Sequence, residues 1–163
     1  MPFTPYHFGI NGAVASIRPK HIDILSCIFA NIVIDIQPFL VIYFGVNINL
    51  HGVSHTLIFA IIVCGIVFYI YGLLYKKIFK SDKRLYSFVI GGILGGVLHV
   101  ILDALMYQDV NIFYPMSNVS INLPFVDYNI KVICYTGYLV FFIILLINFI
   151  LKKLRIKERN KNE

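Results

Sequence analysis

The chain has 163 residues, of which 59% are hydrophobic and only eight are acidic, against fourteen lysines and arginines. Its mean hydropathy of +0.81 lies far outside the range of soluble globular proteins, and this excludes an ordinary soluble domain. The formal net charge of +6 does not indicate a nucleic-acid-binding protein, because the basic residues cluster at the ends of apolar runs, where a protein contacts anionic lipid headgroups. The sequence therefore predicts an integral membrane protein whose partners are membrane lipids.

The apolar segments predict an all-α, polytopic membrane helix bundle with about four spanning helices plus a short N-terminal membrane helix. Residues 4–17 are too short to span, so they predict a half-length helix that packs against the bundle or lies in the interface. Residues 21–46 are long enough, but Pro38 predicts a break or kink near residues 36–38. Three further runs reach the roughly 20 residues that a spanning helix needs: 55–75, 85–107 and 132–151.

Basic residues predict the orientation of the bundle. The 76–84 loop, KKIFKSDKR, is basic, as is the tail at 152–163, whereas residues 47–53 and 109–127 contain no lysine or arginine. Because positive charge stays on the cytoplasmic side, the first two are expected in the cytoplasm and the last two outside. We therefore expect residues 1–163 to form one multi-pass domain of the cell membrane, with an irregular outer cap at 109–127. The cytoplasmic C-terminal tail is expected to be a solvated end of the last helix.

Ionisable side chains inside the predicted spans are the candidate functional residues, because an acid at the centre of a spanning helix costs about 2.5–3.5 kcal/mol. A rise of about 1.5 Å per helical residue, counted from the basic turns, places several of them at one level in the outer part of the membrane. The residues at this level are His7, Asp35, His55, His99 and Asp103. In contrast, His21 and Asp23 lie beside Lys20 and are expected to be solvated.

Imidazole and carboxylate groups that converge from several helices are typical of a zinc or similar transition-metal site. His99 and Asp103 are four residues apart and share one helix face, and glycines before His99 allow close helix approach. The sequence thus predicts a bound divalent metal ion, and zinc is the first candidate. The candidate ligands are His7, Asp35, His51, His55, His99 and Asp103. A simpler interpretation stays open, in which the His99–Asp103 pair is only an internal hydrogen bond.

Four short motifs, in this order, are similar to those of a known family. They are TPYHFG with His7, NIVIDIQP with Asp35, GVSHT with His55, and LHVILDALMYQDVNIFYP with His99 and Asp103. Over most of its length, up to about Pro115, the chain resembles the membrane-bound metal-dependent hydrolases of the YdjM/YbcI type. The resemblance implies a metal-dependent hydrolase, for which phospholipid-like substrates have been suggested.

Two positions depart from the pattern of that family. His51 stands where relatives usually have a basic residue, and Gln37 stands where they often have a second acidic residue. The first departure counts against His51 as a ligand, and the second counts against a second metal ion.

These observations favour a membrane-embedded hydrolase that cleaves an ester or phosphoester bond of a lipid or lipid-linked substrate at the extracytoplasmic side. The metal would activate a water molecule, with Asp35 as a further ligand or as the general base. Tyr107, Tyr114 and Lys131 are the candidate contacts of the substrate headgroup.

Two alternatives use the same residues differently. A layer of histidine and aspartate could pass protons or a divalent ion through the bundle, although the inner half of the 55–75 run, VCGIVFYIYG, contains no acid or histidine. This favours a pocket open on one side. Paired histidines could also bind haem, but Asp35 and Asp103 would then lie unfavourably beside an apolar macrocycle.

Overall fold

The computed structural model describes residues 5–46 and 50–159, and within these ranges the regular structure is entirely helical. Residues 1–4, 47–49 and 160–163, which include parts of the predicted first helix, outer loop and tail, lie outside the described residues. The helices are α1 (Pro5–Ile17), α2 (Ile24–Phe44), α3 (Leu57–Phe79), α4 (Leu85–Met106) and α5 (Pro124–Arg159), with a short 3₁₀ helix, Val53–His55, before α3. The predicted fold class, an all-α helix bundle, is confirmed.

Four of the described helices are long and apolar enough to cross a membrane: α2, α3, α4 and the part of α5 from Lys131 to Glu158. The short first helix, α1, has 13 residues and packs against α2, α4 and α5. The predicted number of spans is therefore confirmed, and α1 is a half-length helix of the bundle.

Pro38 does not break α2, which continues through it from Ile24 to Phe44. Of the predicted break or kink near residues 36–38, the break is therefore wrong, and the kink stays a prediction. A proline removes only one backbone donor, and spanning helices tolerate this loss where neighbouring groups satisfy the freed backbone. The helix ends instead at Gly45, whose φ of 62° lies in the left-handed region that glycine adopts at helix ends.

A buried carboxylate fixes the start of α2 against α4. Asp23 is only 3% exposed, its Oδ1 accepts a hydrogen bond from the backbone N–H of Ser26 at 2.8 Å, and its backbone N–H donates to Ser87 O at 2.9 Å. Its Oδ2 lies 2.7 Å from Nζ of Lys83. Burial lowers the pKa of the Lys83 amine, but the hydrogen bond and the charge of Asp23 outweigh burial and raise it. The expectation that Asp23 is solvated is wrong, because capping and ion pairing compensate its burial.

Glycines of α4 set its distance from two neighbouring helices. A methyl group on Gly95 would lie 2.1 Å from the backbone oxygen of Cys27 in α2, and Gly91 faces the same helix. Gly92 and Gly96 face side chains of α3. As expected from the sequence, the small residues let α4 pack closely, and they do so on two sides at once.

The segment 107–123 is irregular and closes the end of the bundle that carries the metal-site candidates, which we call the loop end. Leu57 N–H donates to Ile112 O at 3.1 Å, and Leu123 N–H donates to Leu105 O at 2.8 Å, so the segment is tied to both α3 and α4. Helix α5 starts at Pro124 and continues to Arg159. It begins eight residues before the predicted run 132–151, whereas at its other end the basic tail is an exposed continuation of the helix, as expected from the sequence. Lysine and arginine, which follow the apolar run, are good helix formers and prolong α5.

Candidate metal centre

Helices α2 and α4 and the 3₁₀ helix bring together four side chains, which we call the four-ligand group: Asp35, His55, His99 and Asp103. One ligand atom from each lies within 4.8 Å of the other three. Nε2 of His99 lies 3.2 Å from Asp35 Oδ1 and 3.3 Å from Asp103 Oδ2. Nε2 of His55 lies 3.5 Å and 3.1 Å from the same two oxygens.

Burial differs within the group. The side chains of His55, His99 and Asp103 are at most 4% exposed, whereas that of Asp35 is 23% exposed. Two carboxylates in so small a volume are costly to bury unless a cation compensates them. Because Asp35 is the most exposed of the four side chains, a substrate or water molecule would reach the group from the side of Asp35.

Asn31 determines which nitrogen of His99 faces the carboxylates. Its amide nitrogen donates to Ile28 O at 2.6 Å, and its Oδ1 accepts a hydrogen bond from Asn11 Nδ2 at 3.0 Å. The same Oδ1 lies 2.9 Å from His99 Nδ1, so Nδ1 carries a hydrogen and donates it. In neutral His99 the Nε2 lone pair then faces the oxygens of Asp35 and Asp103, which is repulsive until a metal ion or a second proton lies between them.

Gln37 and Ser54 hold His55 in place. The Ser54 backbone N–H donates to Gln37 Oε1 at 2.9 Å, which fixes the 3₁₀ helix to α2. The Ser54 hydroxyl lies 3.0 Å from His55 Nδ1. Nε2 of His55 is buried and has no aligned hydrogen-bond partner among the described residues, although the carboxylates are close. This geometry suits a nitrogen that binds a metal better than one that donates a hydrogen bond.

His7 extends the group on the side of α1. Its Nε2 lies 3.2 Å from Oδ1 of Asp103, the carboxylate oxygen that does not face the other histidines. Its ring meets that of His99 edge to face, with the centroids 4.8 Å apart. His7 therefore adjoins the four-ligand group through Asp103 and is not among its four closest members.

His51 points to a different carboxylate. Its Nδ1 lies 2.9 Å from Asp109 Oδ2, and its ring stacks on Tyr107 at 4.6 Å. The ring also contacts that of His55, with the centroids 4.8 Å apart. The structure thus places His51 beside the four-ligand group and pairs it with Asp109.

The three candidate headgroup contacts lie in different places. Tyr107 stacks on His51, and Tyr114 lines a small cavity of about 150 Å³ at the loop end together with His51 and Asp109. Lys131 is exposed on α5, and no described contact connects it to the four-ligand group. The structure therefore brings the two tyrosines near the site and leaves Lys131 apart from it.

A family model described as YdjM inner membrane protein matches residues 4–158. The chain belongs to the YdjM inner membrane protein family. The match continues past Pro115 and includes nearly all of α5, for which the motifs gave no signal. No curated protein and no solved structure matches the chain.

Sequence reasoning missed four polar residues of this YdjM-family site: Asn11, Asn31, Gln37 and Asp109. A signal for the two asparagines was present, because His7 and Asn11, and also Asn31 and Asp35, have the same four-residue spacing as His99 and Asp103. This spacing places each pair on one helix face. Gln37 and Asp109 act on residues of irregular segments, for which helical spacing gives no signal.

The donor set fits a small divalent ion. Two imidazole nitrogens and two carboxylate oxygens are common zinc ligands, and bonds of about 2.0–2.1 Å in a tetrahedron separate the ligand atoms by about 3.3–3.4 Å. The four nitrogen–oxygen distances in the group are between 3.1 and 3.5 Å. All four ligand atoms lie within 4.8 Å of one another, so the residues of this YdjM-family chain could bind a metal ion if the more widely spaced atoms move closer together.

Proposed function

We propose that this protein is a membrane-embedded metal-dependent hydrolase that cleaves an ester or phosphoester bond of a lipid or lipid-linked substrate. The proposal depends above all on the four-ligand group, in which two imidazole nitrogens and two carboxylate oxygens lie within 4.8 Å of one another. When bound, a zinc ion polarises a carbonyl or phosphoryl oxygen and lowers the pKa of a coordinated water to about 7.

The different exposure of the ligands suggests different roles. His55, His99 and Asp103 are enclosed and would hold the ion, with Asn31 and Ser54 orienting the two imidazoles. Asp35 is accessible and would contact the reacting water, as a fourth ligand or as the base that accepts its proton. His7, which contacts the second oxygen of Asp103, would keep that carboxylate oriented.

A lipid substrate agrees with the surroundings of the site. A cavity of about 600 Å³ lies between α2 and α3 and is lined mainly by apolar side chains, with Gln37 and Ser54 at its polar edge. Gln37 follows Asp35 by two residues, and Ser54 precedes His55. An acyl chain in this cavity would therefore bring the bond to be cleaved near Asp35, while His51 and Tyr114 at the loop end would meet the headgroup.

The basic residues support an extracytoplasmic site. Thirteen of the fourteen lysines and arginines lie in the turn after α1, in the end of α3 and the loop after it, or in the end of α5 and the tail, and Lys131 near the start of α5 is the exception. Positive charge is retained in the cytoplasm. With that end inside, the loop end and its pockets face the other side of the membrane, and the C-terminus is cytoplasmic.

The interior gives less support to transport or haem binding. The buried residues of α3 are Ala60, Cys64, Phe68 and Gly72, none of which would carry an ion onward from the group. For haem, the His7 and His99 rings are only 4.8 Å apart, which leaves no space for a porphyrin between them. A metal-ion flux assay in liposomes would detect the transport alternative directly.

Metal content and lipid hydrolysis test the proposal together. Detergent-purified wild-type protein should contain a stoichiometric divalent metal and release products from a bacterial phospholipid extract, both measured by mass spectrometry. Asp103→Asn should lose the metal and the activity. Asp109→Asn is the matched control, because this carboxylate binds His51 outside the four-ligand group, and it should keep the metal. Wild-type protein that binds no added zinc, or an Asp103→Asn protein as active as wild type, would contradict the proposal.

A further inference from the structure

A large cavity lies at the opposite end of the bundle from the four-ligand group, where the turn after α1 meets the end of α5. It measures about 760 Å³, and a hydrogen bond of 2.9 Å from Asn148 Nδ2 to Ser16 O fastens α5 to α1 beside it. We call it the basic groove. Its charged lining residues are Arg18, Lys20, Lys152 and Arg155.

The groove concentrates positive charge, and the acids near it lie outside its lining. These are Asp82, which lines a neighbouring pocket with Lys20, and Glu158, three residues after Arg155 on α5. All of its lining residues lie in the described part of the chain, and none is an aspartate or glutamate. This contrasts with the neighbouring Lys83, which is paired with Asp23 at 2.7 Å. Four exposed cations around one concave surface repel each other and attract an anion.

Part of the lining of the groove is apolar. Ile17 and Leu151 line it and are 66% and 46% exposed. They lie where the apolar sequences of α1 and α5 end and the basic residues begin, which is the level of the lipid headgroups. A free anion would contact only the basic side chains of the groove. A phospholipid would contact these through its phosphate and would also cover the apolar side chains with its glycerol and acyl groups.

We propose that the basic groove binds an anionic phospholipid, with the headgroup phosphate among the four cations and the acyl chains along α1 and α5. Basic pockets between spanning helices recognise anionic headgroups in this way. The site is separate from the proposed catalytic one, since His99 lies about 21 Å along α4 from its first residue at the basic end. The lipid in the groove is therefore a bound partner and not the substrate.

Native mass spectrometry of the full-length protein in detergent tests this inference. Dioleoylphosphatidylglycerol should remain bound, dioleoylphosphatidylcholine should bind about tenfold or more weakly, and glycerol 3-phosphate should not compete. Removing three groove charges with Arg18→Gln, Lys152→Gln and Arg155→Gln should weaken phosphatidylglycerol binding about a hundredfold.

The matched control removes three charges at the same end but outside the groove: Lys76→Gln, Lys77→Gln and Lys153→Gln. It should keep phosphatidylglycerol binding within a few-fold of wild type. If the triple groove variant does not fold, Arg155→Gln alone should still weaken binding about fivefold, as expected for one exposed cation.

Four outcomes would overturn the proposal, of which the first three concern the lipid-binding measurement. These three are equal binding of the two lipids, an equal loss in the control variant, and competition by glycerol 3-phosphate, which would indicate a site for free phosphate. The fourth is a second copy of the chain in the groove, which would appear as a dimer that the groove variant dissociates. Metal content is measured on the same samples and should not change, so this test is independent of the proposed hydrolase activity.

Discussion

At the residue scale, the geometry of the candidate metal site depends on neutral amides as much as on ionisable groups. Asn11 donates from one amide nitrogen toward Asn31 Oδ1, Cys27 O and Gly95 O, at 3.0, 3.3 and 3.1 Å. It thereby connects α1 with α2 and α4 and fixes the orientation of the Asn31 oxygen, which in turn orients His99. Hydrogen-bonded partners of metal-binding histidines set ligand orientation and basicity.

Replacing Asn31 should therefore weaken metal binding without removing a ligand. In Asn31→Ala the Nδ1–H of His99 loses its acceptor, and zinc affinity should fall about 10–100-fold. A competition titration against a zinc-binding dye measures this. Asn148→Ala is the control, because it also removes a hydrogen bond between helices, from Asn148 to Ser16 O, but far from the metal site. Wild-type affinity in Asn31→Ala would show that the amide does not orient His99.

The two histidines of HGVSH should respond differently to the same substitution. His55→Gln should lose the bound metal, because it removes a nitrogen of the four-ligand group, whereas His51→Gln should keep it, because His51 is paired with Asp109. Elemental analysis of the two purified variants decides this. Equal loss of metal from both would make His51 a ligand after all.

The ionisable members of the site were conspicuous in the sequence, whereas the two asparagines gave only the weaker signal of their four-residue spacing. An aspartate or histidine in an apolar span is rare because it is costly, so Asp35, His99 and Asp103 were conspicuous in the sequence. An asparagine costs less and gave no such warning. The pairing of His51 with Asp109 depends on how two irregular segments meet, which no periodic pattern encodes.

At the element scale, close contact between α2 and α4 positions the ligands on both helices. Asp35 lies on α2, and His99 and Asp103 lie on α4, so a small increase in the distance between the helices would separate the ligands. Gly95 is one turn before His99 and has no space for a methyl group. The distance between the helices is therefore fixed near the site itself.

Gly95→Ala should lower both thermal stability and metal occupancy. The added methyl group would meet the backbone of α2, which cannot move as easily as a side chain. Gly65→Ala is the control, since its methyl group would lie 3.5 Å from Ile93, an ordinary contact. In the control, alanine should be neutral or stabilising by about 1 kcal/mol through its helix propensity. Thermal unfolding in detergent, followed by circular dichroism, compares the two. Equal melting temperatures would disprove the role of Gly95.

The spans were predictable as elements because length and apolar composition suffice to identify them. The ends of α3 and α4 agree with the predicted runs 55–75 and 85–107 to within four residues. The start of α5 was missed, since the apolar run marks the part that lies in lipid and not the whole helix, whereas its continuation into the basic tail agrees with the sequence. The break expected at Pro38 is absent for a related reason, because a rule for isolated helices overestimates the effect of one missing donor inside a packed bundle.

At the scale of the whole molecule, the bundle is asymmetric. Half of the most apolar part of α4 is buried by other helices, compared with 6% of that part of α5. Helix α5 packs mainly on α1, where Tyr138 donates to the backbone oxygen of Pro5. The candidate site is therefore formed by α1, α2, the 3₁₀ helix and α4. Helix α5 supports the site from the side of α1 and exposes most of its own surface to lipid.

The expected orientation can be tested with single added cysteines. The native cysteines, Cys27, Cys64 and Cys134, are buried and should react little. With the loop end outside, Ser120→Cys should react with a membrane-impermeant maleimide in intact cells. Ser81→Cys, in the basic loop between α3 and α4, should react only after the cells are opened. The reverse pattern would place the metal site on the cytoplasmic side.

The order of the ligands along the chain affects how the protein is made. Asp35 precedes His99 by 64 residues, so α2 emerges from the ribosome well before α4, which supplies half of the four-ligand group. Until then its carboxyl group has no partner from α4 in the bilayer, at a cost of about 2.5–3.5 kcal/mol if charged. The strongly apolar residues around it, NIVIDIQPFLVI, are thus needed for membrane insertion during biogenesis as well as for contacts in the finished protein.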